Sequence, residues 1–261
     1  MTEDSDQQIE DMQLMGGTSL TKQFASAVIL TALYVVSSVI PISTFLGAAG
    51  PLAQLSLTIC IAPLFGILLG PYKGFVFGLI AGILSAFVPG VSLIVPTVIL
   101  GPAISGLLTG LCLQPRTKIR SLSVPGPLIT ALYIAVIIVL YLIQNYEAWW
   151  FMTYYGAALV VALVLQREPV SFDPNTEGIP RYLQLFPLTL IGTITDFSMM
   201  TMGAVYILLL PAAAFGFGIF PFMLAERAAA TVIAAILIAV VLRAFPEIEW
   251  ALEKKTEPGL D

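Results

Sequence analysis

One acidic residue lies deep inside an apolar run. Asp196 stands about 14 residues into the segment 182–210, which at about 1.5 Å per residue is near the middle of a bilayer. A carboxylate there costs about 2.5–3.5 kcal/mol or more, and such groups usually face a polar cavity or a partner. Thr193 and Thr195 supply hydroxyls beside it. The pattern predicts a substrate-binding group; capping of a half-helix by the carboxylate is the alternative.

Two further polar positions are weaker candidates for the same pocket. Gln54 lies four residues before Thr58, so on a helix the two would share a face, lining a cavity or bonding to a neighbouring helix. Glu226 and Arg227 stand together at the predicted outer start of the last apolar segment. A local ion pair or a ligand clamp would each explain that pair.

The residue types present exclude most intramembrane chemistry. The chain has no His, so Ser-His proteases and His-ligated zinc enzymes are excluded. It has no C-x-x-C pair, no P-loop and no second acid predicted near the midplane. The sequence therefore predicts a protein that is not an enzyme, with no cofactor, no metal and no nucleic-acid partner.

Composition requires a lipid environment for these residues. The 261-residue chain is 58% hydrophobic and 10% charged, whereas a soluble domain carries about 25% charged residues. Its net charge of −5 comes from two acidic tails, 1–22 and 246–261, which flank a bundle at 23–245. These features predict an all-α, polytopic transmembrane helix bundle whose surface contacts the lipid bilayer.

Apolar runs long enough to be helices recur along the bundle. The runs are 24–40, 52–70, 74–88, 97–113, 127–144, 149–166, 182–210 and 227–245. The third run is short for a full crossing. About eight spans are expected.

The distribution of basic residues predicts the orientation. Cytoplasmic loops are enriched in Lys and Arg. Eight crossings with the N-terminus inside leave only Arg227 outside and put ten bases on the cytoplasmic side: Lys22, Lys73, Arg116, Lys118, Arg120, Arg167, Arg181, Arg243, Lys254 and Lys255. The expected location is the cell membrane, with both termini cytoplasmic.

The predicted outward connections are unusually apolar. Segments 41–51, 89–96 and 211–226 are rich in Pro and Gly and contain one charged residue, Glu226. Irregular backbone at membrane depth is tolerated only where protein buries it or it lines a cavity. They are interpreted as lids over a pocket, or else as helix ends placed a few residues wrongly.

Small residues predict how the helices meet. Glycines at a spacing of four allow close approach of membrane helices, and such spacing relates Gly66, Gly70, Gly74, Gly78, Gly82, and also Gly106 and Gly110. The run 182–210 would reach about 43 Å as one straight helix, longer than the roughly 30 Å hydrocarbon core. A tilt or a break near Gly192 to Asp196 is therefore expected.

Taken together, these motifs resemble a known family. IAPLFGILLGPYKGFVFGLIAGILSAF (61–87), LGPAISGLLTGL (100–111), LIGTITDF (190–197) and an Ala-rich last helix opening with Glu226 and Arg227 look like the substrate-binding S component of energy-coupling factor (ECF) transporters. The resemblance implies a six-helix protein that captures a vitamin or similar micronutrient. It would dock onto a membrane coupling protein driven by cytoplasmic ATPases.

The resemblance also implies a docking face and an insertion. Family members dock through small residues on the first helix, usually Ala-x-x-x-Ala, and this chain has Ala27-x-x-x-Thr31. The eight expected helices exceed the six of the family by two. The two extra helices are assigned to the hairpin 127–166, which inserts as an even pair. Two other functions remain open: a non-transporting assembly or scaffold subunit that binds through this hairpin, and a stand-alone ion-coupled carrier.

Overall fold

A computed structural model describes residues 20–47, 50–88, 95–114, 117–119, 122–167 and 179–244. Both predicted acidic tails, apart from residues 20–22, and most of the segment 89–96 lie outside the described residues. So do several of the bases on which the predicted orientation rests.

The described residues form α-helices, with one helix for each predicted apolar run. They are α1 (Leu20–Ser37), α2 (Thr58–Leu69), α3 (Pro71–Ser85), α4 (Val95–Cys112), α5 (Gly126–Asn145), α6 (Thr153–Arg167), α7 (Ile179–Tyr206) and α8 (Phe220–Ala244). Prolines stand in the first turns of α3, α5 and α7, where the missing N–H leaves no bond unmade.

Within the described ranges, three helical stretches are long and apolar enough to cross a membrane: Gly126–Arg167, Tyr182–Tyr206 and Ala214–Arg243. The first stretch is two helices, α5 and α6, rather than one. They are separated at Ala148, which has non-helical φ −113° and ψ 41° inside the 3₁₀ turn Tyr146–Met152. The other apolar helices are shorter, and the 12 residues of α2 reach only about 18 Å. The helical membrane class is thus supported, while eight crossings and cytoplasmic termini stay predictions.

Two β-hairpins occupy connections between helices. Strands β1 (Pro41–Gly47) and β2 (Gly50–Ser56) pair antiparallel, and so do β3 (Thr117–Ile119) and β4 (Leu122–Val124). The helix predicted from residue 52 is therefore wrong at its start, as is the irregular lid at 41–51. Cross-strand bonds satisfy this apolar backbone as well as a helix would.

Gly-based contacts join α2, α3 and α4 at very short range. A methyl group on Gly74 would lie 2.7 Å from the Phe65 carbonyl oxygen, and one on Gly106 would lie 2.6 Å from that of Gly74. Gly70 has φ 78°, so it ends α2 in a conformation that favours glycine. Four more glycines would place a methyl group against backbone of a neighbouring helix: Gly66, Gly78, Gly82 and Gly110.

These contacts fix the helix directions. Gly78 and Gly82 of α3 meet Pro102 and Ile99 of α4 respectively, so sequence numbers rise on one helix as they fall on the other. The two helices are antiparallel. Because glycine lacks a side chain, their backbones interlock closely and present a rigid surface to α7.

The first helix turns its small residues inward. Ala27 and Thr31 are 1% and 7% exposed, and the Thr31 hydroxyl donates to the Ala27 carbonyl at 2.8 Å. α1 packs on α2 and α3. The predicted docking face is therefore covered by the chain's own helices, because small residues allow close packing inside a bundle as readily as between proteins.

No break interrupts α7 between Gly192 and Asp196, so of the two expectations for this long run only a tilt stays a prediction. Gly192 serves packing instead: a methyl group on it would lie 2.6 Å from Cβ of Pro63. Its carbonyl oxygen accepts a hydrogen bond of 2.8 Å from the Ser105 hydroxyl of α4. The glycine therefore marks a helix contact rather than a hinge.

The last helix begins seven residues earlier than predicted. Residues Ala214–Ile219 form a π-helix, and α8 starts directly after it at Phe220. The Trp150 indole N–H donates to the Gly216 carbonyl at 3.2 Å, which anchors this start to the turn between α5 and α6. Glu226 and Arg227 consequently lie within a helix, and the predicted lid 211–226 is mostly helical.

A matched pair of glycine substitutions tests the packing. We expect Gly106→Ala to lower stability by about 1–3 kcal/mol, because its methyl group would overlap the Gly74 carbonyl. Gly156→Ala on α6 meets nothing within 4 Å and should be neutral or slightly stabilising. Thermal unfolding in detergent micelles measures both; equal shifts would contradict the packing described.

Candidate functional site

A buried arginine is the centre of the site. Arg227 of α8 is 1% exposed, and its Nη1 donates to the Thr193 carbonyl of α7 at 3.1 Å. The same nitrogen lies 3.9 Å from Oδ2 of Asp196. The guanidinium carbon sits 4.3 Å from the centre of the Phe197 ring, at cation–π distance. One stretch of α7 thus supplies a carbonyl, a carboxylate and an aromatic face to one cation.

Glycine on α4 makes room for the acidic partner. A methyl group on Gly101 would lie 2.7 Å from Oδ1 of Asp196. The Asp196 side chain is 14% exposed, so it is largely enclosed between α4, α7 and α8. Enclosure strengthens its attraction to Arg227, because the local dielectric constant is far below that of water.

The acid next to the arginine lacks a hydrogen-bond partner in the described part of the chain. Glu226 is 9% exposed, and neither of its carboxylate oxygens has a hydrogen-bond partner among the described residues. Nε of Arg227 is also buried without one. The two side chains therefore do not neutralise each other through a hydrogen bond, as a local ion pair would.

Buried polar atoms without partners are rare in folded proteins, since each one forfeits its bonds to water. Both carboxyl groups interact electrostatically with the guanidinium. Three ionisable groups therefore share one enclosed region, in which both Glu226 oxygens and the Nε–H of Arg227 have no hydrogen-bond partner among the described residues.

Hydroxyl groups tie the helices together around the charges. The Thr193 hydroxyl lies 3.1 Å from that of Thr231, which in turn donates to the Arg227 carbonyl at 2.7 Å. Farther along α7, Ser198 bonds to Tyr133 of α5 at 2.7 Å. The Thr193–Thr231 contact thus links α7 to α8, and the Ser198–Tyr133 contact links α7 to α5.

Of the predicted site residues, the structure brings Asp196, Thr193 and Glu226 together. Thr195 is not with them: its hydroxyl donates to carbonyls of its own helix, Ile191 at 2.8 Å and Gly192 at 3.1 Å, whereas the Thr193 hydroxyl also reaches α8 and the Thr193 carbonyl accepts from Arg227. Gln54 lies in β2 opposite Thr44 rather than one helical turn from Thr58. Its predicted helical face with Thr58 is therefore wrong.

The sequence predicts Arg227 only as the partner of Glu226 in an ion pair or a ligand clamp, whereas the structure makes it the cation beside both acids. The signal was present: Pro221 suits a first helical turn, so Arg227 falls at the eighth residue of an apolar helix rather than in a loop. Among the described residues, no group of three His, Cys, Asp or Glu side chains is placed to hold a metal ion.

No protein family, curated protein or solved structure with which the chain was compared matches it.

A pair of arginine substitutions on one helix tests the burial. We expect Arg227→Gln to destabilise the protein by about 3–5 kcal/mol, because it leaves the Asp196 carboxylate enclosed without its cation. Arg243→Gln, in the exposed last turn of α8, should change stability by less than about 0.5 kcal/mol. Chemical unfolding in mixed micelles measures the difference, and an Arg227→Gln protein as stable as Arg243→Gln would contradict the site.

Proposed function

We propose that this chain is a membrane-embedded solute-binding protein, the substrate-capturing subunit of an ECF-type importer for a vitamin or similar micronutrient. Two lines support the proposal. The sequence resembles S components in its Gly-Pro punctuation and its last helix. The structure contains an enclosed group of charges at the junction of α4, α7 and α8.

The observation that carries the proposal is the unpartnered Glu226 carboxylate beside Arg227. An ion pair built only for stability gains little, since apolar replacements of buried pairs are often neutral or stabilising. The Glu226 carboxylate, a third charged group, adds the free-energy cost of removing it from water without adding a hydrogen bond. Binding of a polar solute explains its retention, because the solute would supply the missing bonds.

Coupling to ATPases belongs to the same proposal but needs a different surface. The face of α1 bearing Ala27 and Thr31 is buried against α2 and α3. A membrane coupling protein would therefore contact another part of the bundle than the resemblance implies. Cargo capture by the charged site does not depend on where that contact lies.

Purification from native membranes tests the function. We expect the wild-type protein to release a small molecule on denaturation and to co-purify with ATPase subunits. Asp196→Asn should release at least about tenfold less, because loss of the carboxylate frees Arg227 from its position. Mass spectrometry of the released fraction and of the proteins measures both.

Glu147→Gln is the matched control, since Glu147 is an exposed acid in the turn between α5 and α6. It should release as much solute as the wild-type protein. Stoichiometric recovery in a larger complex that lacks an ATPase and holds no solute would instead favour an assembly subunit.

A further inference from the structure

The unused groups of the site have a definite chemical polarity. Glu226 offers two carboxylate oxygens, which only accept hydrogen bonds when ionised, and Arg227 offers the single N–H of Nε. We propose that the bound solute carries a planar cationic group with two N–H donors, of the amidinium or guanidinium type, held by Glu226. An acceptor elsewhere on the same solute would take the Arg227 N–H. This inference rests on the proposed solute-binding function and names its substrate class.

The charge balance of the site favours a cation. Two carboxylates and one guanidinium leave a formal charge of −1 in an enclosed region. Arg227 is already held through Nη1 by the Thr193 carbonyl and Asp196, so among the described residues the carboxylate of the site without a salt bridge or hydrogen bond is that of Glu226. A cationic solute brings the site to zero, whereas an anion would bring it to −2 where the dielectric constant is low.

Geometry favours a group with two donors. A carboxylate pairs most strongly with two parallel N–H groups, one for each oxygen. Both Glu226 oxygens are buried and unpartnered, so a single donor would still leave one of them unsatisfied. A fork-shaped cation satisfies both at once.

The surroundings of Glu226 suit an apolar body behind that cation. Ala230 lies one helical turn after Glu226 on α8 and packs with Ile59 and Cys60 of α2. Ala234, one further turn along α8, belongs to the same buried apolar cluster, so this wall continues along the helix from the turn after Glu226. The preferred solute therefore combines the cationic fork with an apolar or aromatic portion.

Benzamidinium and benzoate test the proposal as a pair of similar shape and opposite charge. Equilibrium dialysis against the full-length protein in mixed micelles measures the Kd of each. We expect benzamidinium to bind the wild-type protein and benzoate not to bind. Glu226→Gln should weaken benzamidinium binding at least about tenfold, equivalent to about 1.4 kcal/mol, because its amide retains one acceptor but loses the charge. Glu147→Gln should bind like the wild-type protein.

Binding of benzoate in preference to benzamidinium would overturn the proposal, and so would absence of benzamidinium binding to the wild-type protein. Equal benzamidinium binding by the wild-type protein and Glu226→Gln would also overturn it. The two probes are compared on the wild-type protein, so the outcome does not depend on how well the variant folds. A co-purified solute without any cationic group would overturn the substrate class and leave the proposed function standing, whereas absence of any co-purified solute would count against the function itself.

Discussion

A guanidinium enclosed in an apolar helix bundle must find acceptors within the protein, because no water compensates it. Arg227 finds them on one turn of α7, where the Thr193 carbonyl, the Asp196 carboxylate and the Phe197 ring converge on it. This requirement fixes how α8 rotates and slides against α7. It also brings Glu226, the preceding residue, into the enclosed part of the bundle. The candidate site is thus a consequence of where the arginine is satisfied.

The glycine-rich helices α2, α3 and α4 support the position of Asp196 beside Arg227 from the α4 side of α7. α2, α3 and α4 interlock through backbone contacts, so α4 presents a fixed surface to α7. On that surface Gly101 leaves space for the Asp196 carboxylate, and Ser105 donates to the Gly192 carbonyl. A larger residue at Gly101 would push the acid away from its cation. Small residues of these helices that serve close packing therefore also position the charged groups.

Hydropathy was enough to place the helices, because an apolar run can be recognised as a helix without knowing which helices pack against it. It could not distinguish the strand β2 from the start of α2, since both are apolar and both satisfy their backbone. The start of α8 was missed for a related reason: a charged pair looked like a boundary, but α7 supplies the partners that let Arg227 lie inside.

The candidate site could be predicted only in part, where the properties of a single residue were enough to identify it. Asp196 stood out because an intramembrane acid is costly wherever it lies. Thr195 looked equivalent to Thr193 in sequence, yet only the Thr193 hydroxyl also contacts a residue of α8, Thr231. The orientation of Ala27 and Thr31 depended on α2 and α3, whose positions no local pattern encodes.

Disulfide formation between α7 and α8 tests the central claim most directly, since the register of these helices brings Arg227 to Asp196. Thr193 and Thr231 face each other with their hydroxyl oxygens 3.1 Å apart, which suits cysteines at both positions. Replacing Cys60 and Cys112, the two cysteines of the chain, with alanine removes competing thiols. In that background the Thr193→Cys/Thr231→Cys protein should lose its free thiols on mild oxidation. The Thr193→Cys/Val232→Cys protein should keep them, because Val232 is exposed on the outer side of α8. Equal oxidation of both pairs, or none at 193 and 231, would contradict the register on which the site depends.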